Sequence, residues 1–455
     1  MLTLFSSRKP VVFALVAVLS LVLAASASAR SLYQLGTERL TLNAELSPAA
    51  VEAQRIHVDV GLLSRAPARL DLPLLDGSVV SLVAKDAIET RGPGNLVWRG
   101  GGAESAHIST TLTLAHGFVA GRVEVGSFQT GFTVYEITPL ADGGHVLQKL
   151  DGARFPPCGQ DHGDAEMTDA QHAALHAAEA SLAKAGLPAP SFAEATATAR
   201  RGQRGLQAPN EELTLIVFYT PQARSAAGGV GQIVATAQAA VDNSNTAFMN
   251  SAMNMRYTLL HTDLINYNDT GDVFADRNWL QASPEARLAR NEWGADMVGL
   301  LVNTSSFCGV AFLMGNQSVA SFEDFGYQVT VRNCAVGNLT FAHEHGHNMG
   351  FQHNPQSGAS PSNAFRTYAY GHFVSGSYRT VMSYSSSCSG GCTRVTQHSN
   401  PNIIFNGVPT GIDRQRDNAR VGGEVAAGVA AWRGTGVRIF TGDFETGGVE
   451  GWNGF

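Results

Sequence analysis

Between residues 30 and 150, apolar and polar positions alternate. The pattern is clearest in Leu70-Asp71-Leu72-Pro73-Leu74, in Val79–Val83 and in Thr111-Leu112-Thr113-Leu114. A period of two sends successive side chains to opposite faces of a strand. Breaks at Gly100-Gly101-Gly102 and Gly143-Gly144 mark turns. This half therefore predicts successive short antiparallel strands, a β-rich domain. Residues 169–186 are rich in Ala, Leu, Glu, Gln and Lys, good helix formers, behind a possible N-cap at Asp169. Pro188 and Pro190 stop that helix. Residues 188–210 then have no apolar period and read as a linker, with Arg200, Arg201 and Arg204 offering cuttable positions.

From residue 211 the pattern turns α/β. Strands are expected at Leu213–Tyr219, Met255–Leu264, Val310–Leu313 and Tyr327–Val331. Met297–Val302 is a continuous apolar run, as a strand buried on both faces requires. Ile233, Ala237, Ala240, Val241 and Phe248 give Ile233–Met249 a helical period. Pro284–Trp293 reads as a second helix with proline in its first turn. A helix over about 339–351 and a closing one at Ala419–Trp432 complete the pattern. Residues 435–455 lie beyond it as an appended tail.

Charge narrows the partners. Only 15% of residues are charged and the net charge is −7. No Lys/Arg cluster with interleaved aromatics is present, so nucleic acid is not an expected partner. The start of the chain changes the picture more. Arg8 and Lys9 precede an apolar run over 11–25, and Ala27-Ser28-Ala29 follows. This reads as a signal peptide, 1–29, cut before Arg30. No later stretch is long and apolar enough to span a bilayer, so a secreted protein with no membrane association after cleavage is expected. Export favours disulfides. Of the five cysteines, Cys308 with Cys334 and Cys388 with Cys392 are the local pairs, one of three connectivities open to these four. Cys158 is left over.

The chemistry concentrates in residues 343–353, HEHGHNMGFQH. His343 and His347, four apart, project from one face of a helix. Gly350 allows a positive φ, which turns the chain so that His353 can reach the same point. Three neutral imidazoles with an open position make a catalytic zinc site rather than a closed structural one. Glu344 stands where a general base would activate water. The plain alternative is a His-rich helix on a soluble surface. His345 should face away from the metal, at the surface or behind the site. His261, His372 and His398 have no ligand spacing, and no calcium loop is visible.

The spacing His343-Glu344-x-x-His347-x-x-Gly350-x-x-His353 resembles the extended zinc motif of the metzincin metallopeptidases. Thr380-Val381-Met382-Ser383-Tyr384 resembles that clan's methionine turn. The resemblance covers roughly residues 211–433. It implies an α/β (α+β) catalytic domain, with a twisted mixed sheet over the active-site helix and Met382 packed beneath the histidines. In the astacin-like and serralysin-like branches a tyrosine at the place of Tyr384 reaches the zinc; a packed aromatic is the alternative. Four stretches are similar to reprolysin-like enzymes, nearest the bacterial peptidyl-Asp metalloendopeptidases: Phe218-Tyr219-Thr220-Pro221, Cys308–Met314, Arg379–Met382 and Ser399-Asn400-Pro401. Asn354 stands where reprolysin-like enzymes often have Asp.

Cys308–Met314 would then be an edge strand that pairs with an extended peptide. An Asp preference would need a cation near the methionine turn. Arg379 is the first candidate and Arg394 the second, each with a surface arginine as the alternative. Cys158-Gly159 resembles the cysteine switch of matrix metalloprotease and reprolysin-type prodomains, in which a thiolate fills the open zinc position. Intermolecular pairing or a buried free thiol are the alternatives. The expectation is thus a secreted, monomeric metalloendopeptidase holding one Zn2+ and acting on polypeptides. It would be made as a latent zymogen, inhibited by its own β-rich prodomain (30–187), with a linker cut on maturation (188–210), a peptidase domain (211–434) and a tail (435–455). A zinc amidohydrolase acting on a non-peptide amide and a non-catalytic secreted binding module are the alternatives.

Overall fold

The computed structural model describes residues 30–159 and 211–433, apart from 86–87, 92–93, 103–106, 128–129, 358, 360 and 389–390. The expected signal segment, the helix 169–186, the linker and the tail 435–455 lie outside the described residues.

The alternation over 30–150 resolves into an eleven-stranded sheet. It is antiparallel except where Arg30-Ser31 runs parallel to Leu70-Asp71. Several strands are longer than the sequence suggested, among them Phe118–Ser127 with ten residues and Gly131–Pro139 with nine. The inward residues Leu70, Leu72, Leu82, Trp98, Leu112 and Leu114 form one buried cluster. The residues between them are polar yet also covered. Arg99, Thr111 and Thr113 are buried because this face lies on the helix Val230–Asn250. Thr113 donates to Asp242 (2.7 Å), Arg99 Nε to Thr246 Oγ1 (3.0 Å), and Arg91 pairs with Asp242 at 2.6 Å. Buried polar groups must find partners, and here each side of the contact supplies the other's.

The second half builds a five-stranded sheet in the order Met255–Leu264, Glu211–Tyr219, Met297–Val302, Tyr327–Val331, Gly309–Ala311. Its pairings are parallel until the last, where Gly309–Ala311 runs antiparallel at the edge. All six residues of Met297–Val302 are buried, as its unbroken apolar run required. The edge strand is shorter than the expected 310–313. The helix carrying the histidines spans Thr340–Asn348, not 339–351, and the closing helix spans Asn418–Val429. Two helices carried no strong period. Pro221–Ala227 is set by the Thr220 hydroxyl accepting from Ala223 N, with Gly228 at φ 101° ending it; Val273–Ala282 is capped by Asp272.

Two disulfides form, Cys308–Cys334 and Cys388–Cys392. The first ties the start of the edge strand to the segment leading into the histidine helix. Among the described residues no helix is long and apolar enough to cross a membrane.

Candidate metal centre

The helix Thr340–Asn348 begins at Leu339, which sits at φ 56°. It passes beneath the five-stranded sheet, close to the edge strand Gly309–Ala311. Gly309 makes that approach possible. A Cβ there would meet Glu344 Cγ at 2.9 Å, Thr340 Cγ2 at 2.9 Å and the Val329 carbonyl at 2.8 Å. From below, Met382 comes just as close. A Cβ at Gly346 would meet Met382 Sδ at 2.7 Å. Gly350, at φ 78°, turns the chain after the helix, and His353 returns to the face that His343 and His347 share.

His353 Nε2 lies 3.0 Å from the Nε2 of both His343 and His347. The other ring nitrogens fix the tautomers. His343 Nδ1 bonds the Val381 carbonyl and His347 Nδ1 the Phe351 carbonyl, each at 2.8 Å. A carbonyl only accepts, so both Nδ1 atoms carry the proton and both Nε2 atoms present lone pairs. Burial lowers the proton affinity of all three rings, His347 to about 4. Neutral imidazoles with lone pairs converging on one point repel one another unless a cation stands between them. Nitrogen ligands about 2.0–2.1 Å from a tetrahedral centre would lie roughly 3.3–3.4 Å apart, close to the spacing here. The donor set fits a bound metal.

Cys158 completes the group. Its Sγ and the three imidazole nitrogens all lie within 4.8 Å of one another. Sγ is 3.7 Å from His347 Nε2 and 3.5 Å from Glu344 Oε2. The segment around it pairs with the edge strand in parallel: Cys308 N donates to the Pro157 carbonyl (2.9 Å) and Gly159 N to the Gly309 carbonyl (2.7 Å). Tyr384 OH donates to the Cys158 carbonyl at 3.1 Å, and its ring lies 4.3 Å from that of His353. Glu344 is fully buried, Oε1 has no hydrogen-bond partner, and burial pushes its carboxyl up to about 8.

Beside the centre opens a cavity of about 630 Å³, lined in part by Cys158, Glu344, Asn338, Tyr384, Arg379 and Arg394. Both arginines are buried rather than at the surface. Arg379 donates to the carbonyls of Cys392 and Ser383 and to Asn338 Oδ1; Arg394 donates to the carbonyls of Asn338 and Ser383.

Residues 210–399 match metallo-peptidase family M12. The chain carries an M12 metallopeptidase domain. Its relatives extend the match beyond that domain. A peptidyl-Asp metalloendopeptidase of Xanthomonas campestris pv. campestris is 29% identical over 435 residues, covering 90% of this chain and 95% of that one. One of Stenotrophomonas maltophilia is 27% identical over 452 residues, 91% of this chain and 97% of its own. One of Pseudomonas fragi is 36% identical over 109 residues, 23% of this chain and 65% of its own. A solved metalloproteinase-II from Bacteroides fragilis matches 68% of this chain and 90% of that one at 12% identity, with a TM-score of 0.33, too distant to inform the fold.

Of the two places expected for His345, the ring takes the one behind the site. It is fully buried. It bonds Asn348 Oδ1 (3.2 Å), packs on Phe341, and points up into the sheet toward Gly299. Other contacts went unread. Asn354 Oδ1 accepts from Tyr384 N (3.0 Å) and so fixes the methionine turn to the third histidine. Its place next to His353 was the available signal. Asn338, which braces both arginines, had none.

Proposed function

We propose that the protein is a secreted zinc endopeptidase made as a latent precursor. Residues 30–187 would be its prodomain, 188–210 the segment cut on maturation and 211–434 the catalytic domain. One observation carries this reading. Three buried imidazoles and a thiol from outside the M12 domain converge on one point, next to a buried carboxyl. His343, His347 and His353 would hold one zinc ion, with Cys158 at the fourth position in the precursor.

Bound zinc supplies a Lewis acid for the scissile carbonyl and for a water. The rest falls to the chain's own groups. Glu344 takes the attacking water's proton at Oε2, the oxygen that now faces Cys158, and returns it to the leaving amine. Its burial excludes competing solvent. Tyr384 OH, released from the Cys158 carbonyl when that segment leaves, is free to donate to the oxyanion. The edge strand Gly309–Ala311 orients an extended polypeptide by backbone hydrogen bonds, which Pro157–Gly159 occupies in the precursor. Met382 supports the histidines from below. Preference for an acidic residue beside the cleaved bond is supported by the relatives' printed specificity for Asp and by Arg379 and Arg394 on the cavity wall.

Zinc content and casein turnover of the purified protein, after cleavage within 188–210, test the reading together. One zinc per chain is expected, with turnover abolished by a chelator and restored by zinc. Turnover that survives complete removal of metal would overturn it.

A further inference from the structure

The cavity wall carries more positive charge than one carboxylate needs. Tyr378-Arg379 and Thr393-Arg394 are two-residue strands paired in parallel, and Arg379 stands directly opposite Arg394. Like charges in that position repel. Both guanidiniums donate to the one Ser383 carbonyl, and both lean on Asn338, Arg379 on its side chain and Arg394 on its backbone. All these partners are neutral. Among the described residues neither arginine has a carboxylate in contact, and Arg394 Nε has no partner although the side chain is buried. The acidic groups whose charge reaches Arg394 are Cys158, Glu344 and Tyr384; the first leaves with the precursor segment, and the proposed mechanism commits the other two to proton transfer and the oxyanion.

Arg394 and Arg122 raise the cost of Arg379's charge, and Arg122 that of Arg394's, yet a guanidinium does not give up its proton in a protein. Two buried, unneutralised cations side by side are costly unless a ligand completes them. Each guanidinium has five N–H groups. The bonds above use three on Arg379 and two on Arg394, so both have donors to spare for a ligand. An aspartate brings one charge and two oxygens. A phosphorylated serine brings nearly two charges and three strong acceptor oxygens, which matches a pair of forks. The cavity, at about 630 Å³, is far larger than a carboxymethyl group.

We propose that the paired arginines accept a dianionic side chain beside the scissile bond, namely phosphoserine, in preference to aspartate. This rests on the endopeptidase reading above and extends its substrate class.

The test uses the zinc-loaded protein expressed as the full chain and matured by cleavage within 188–210, its casein turnover checked first. Three peptides, neutral elsewhere, carry Asp, phosphoserine or Ser at one position, and the cuts are mapped by mass spectrometry. At pH 7.5 the phosphoserine peptide should be cut beside that residue with kcat/KM at least about ten-fold above the Asp peptide. At pH 5, below the second phosphate pKa of about 6, that ratio should fall. Arg394→Lys should bring the two peptides close together, since it keeps a charge but loses the fork. Cleavage at Asp with phosphoserine handled no better than Ser would overturn this inference and leave the acidic endopeptidase reading standing. Equal cleavage of all three would overturn both.

Discussion

At the scale of single residues, His343, His347 and Glu344 were legible because helical geometry fixes them, and His353 because Gly350 signals the turn that returns it. Spacings of four on a helix share a face whatever surrounds it. Glycine at 309 and 346 was not, because its need arises from tertiary neighbours far along the chain: Glu344 and Val329 for the first, Met382 for the second. Gly309→Ala should push the edge strand off the histidine helix. A loss of stability of about 1–3 kcal/mol is expected, read by denaturant unfolding, together with a fall in peptidase activity. Glu344→Gln tests the proposed base more narrowly. Activity should fall by roughly 100-fold or more while bound zinc, measured by elemental analysis, stays at wild-type stoichiometry. Zinc lost together with activity would make Glu344 a structural residue instead.

At the scale of elements, strands and helices followed from periodicity, and their ends did not. The histidine helix starts later and stops earlier than its pattern because Leu339 and Gly350 both take positive φ, set by packing on either side. The segment entering that helix is held from outside its own domain. Arg122 Nε donates to the Gly337 carbonyl (3.3 Å), and Glu136 Oε1 accepts from Gly337 N (3.2 Å). Arg122 also bonds the Arg394 carbonyl and Thr396, and Glu124 accepts from Thr396 N. Strands of the N-terminal sheet thus hold the pieces that carry Asn338 and Arg394. No sequence pattern points across more than 200 residues to such a contact.

Glu136 makes the contact sensitive to pH. It is buried, Oε2 has no partner, and burial pushes its carboxyl up to about 8 against the lowering influence of the Gly337 N–H and of Arg122 and Arg332; Glu45 lines the same small cavity. A carboxyl raised in the folded state is most stabilising below its unfolded value, near 4.3. That stability is lost as pH rises from there through about 8. Unfolding free energy of the full chain should therefore fall across this window. Glu136→Gln should flatten the fall and leave the protein more stable than wild type at pH 8. An unchanged pH slope in the variant would remove Glu136 as its source.

At the scale of the whole molecule, the division into a β-rich half and an α/β half was visible in the switch from period two to mixed patterning. The way the halves meet was not. Part of the contact is apolar, with Phe132 among Tyr378, Val395 and Phe405, and part is polar, with Asp242 and Thr246 of the long helix meeting Arg91, Arg99 and Thr113. The polar part can return to water if the halves separate, as the proposed removal of residues 30–187 would require. Phe155–Gly159 then acts at the cleft itself, pairing with the edge strand and setting a thiol among the three imidazoles. The account predicts that latency depends on that thiol. The direct measurement is casein turnover by the uncleaved, zinc-loaded full chain, wild type beside Cys158→Ala, with chain integrity checked by mass spectrometry. The wild-type precursor should be inactive and the variant active before any cleavage. A variant precursor that binds zinc, stays intact and remains as silent as the wild type would contradict the account.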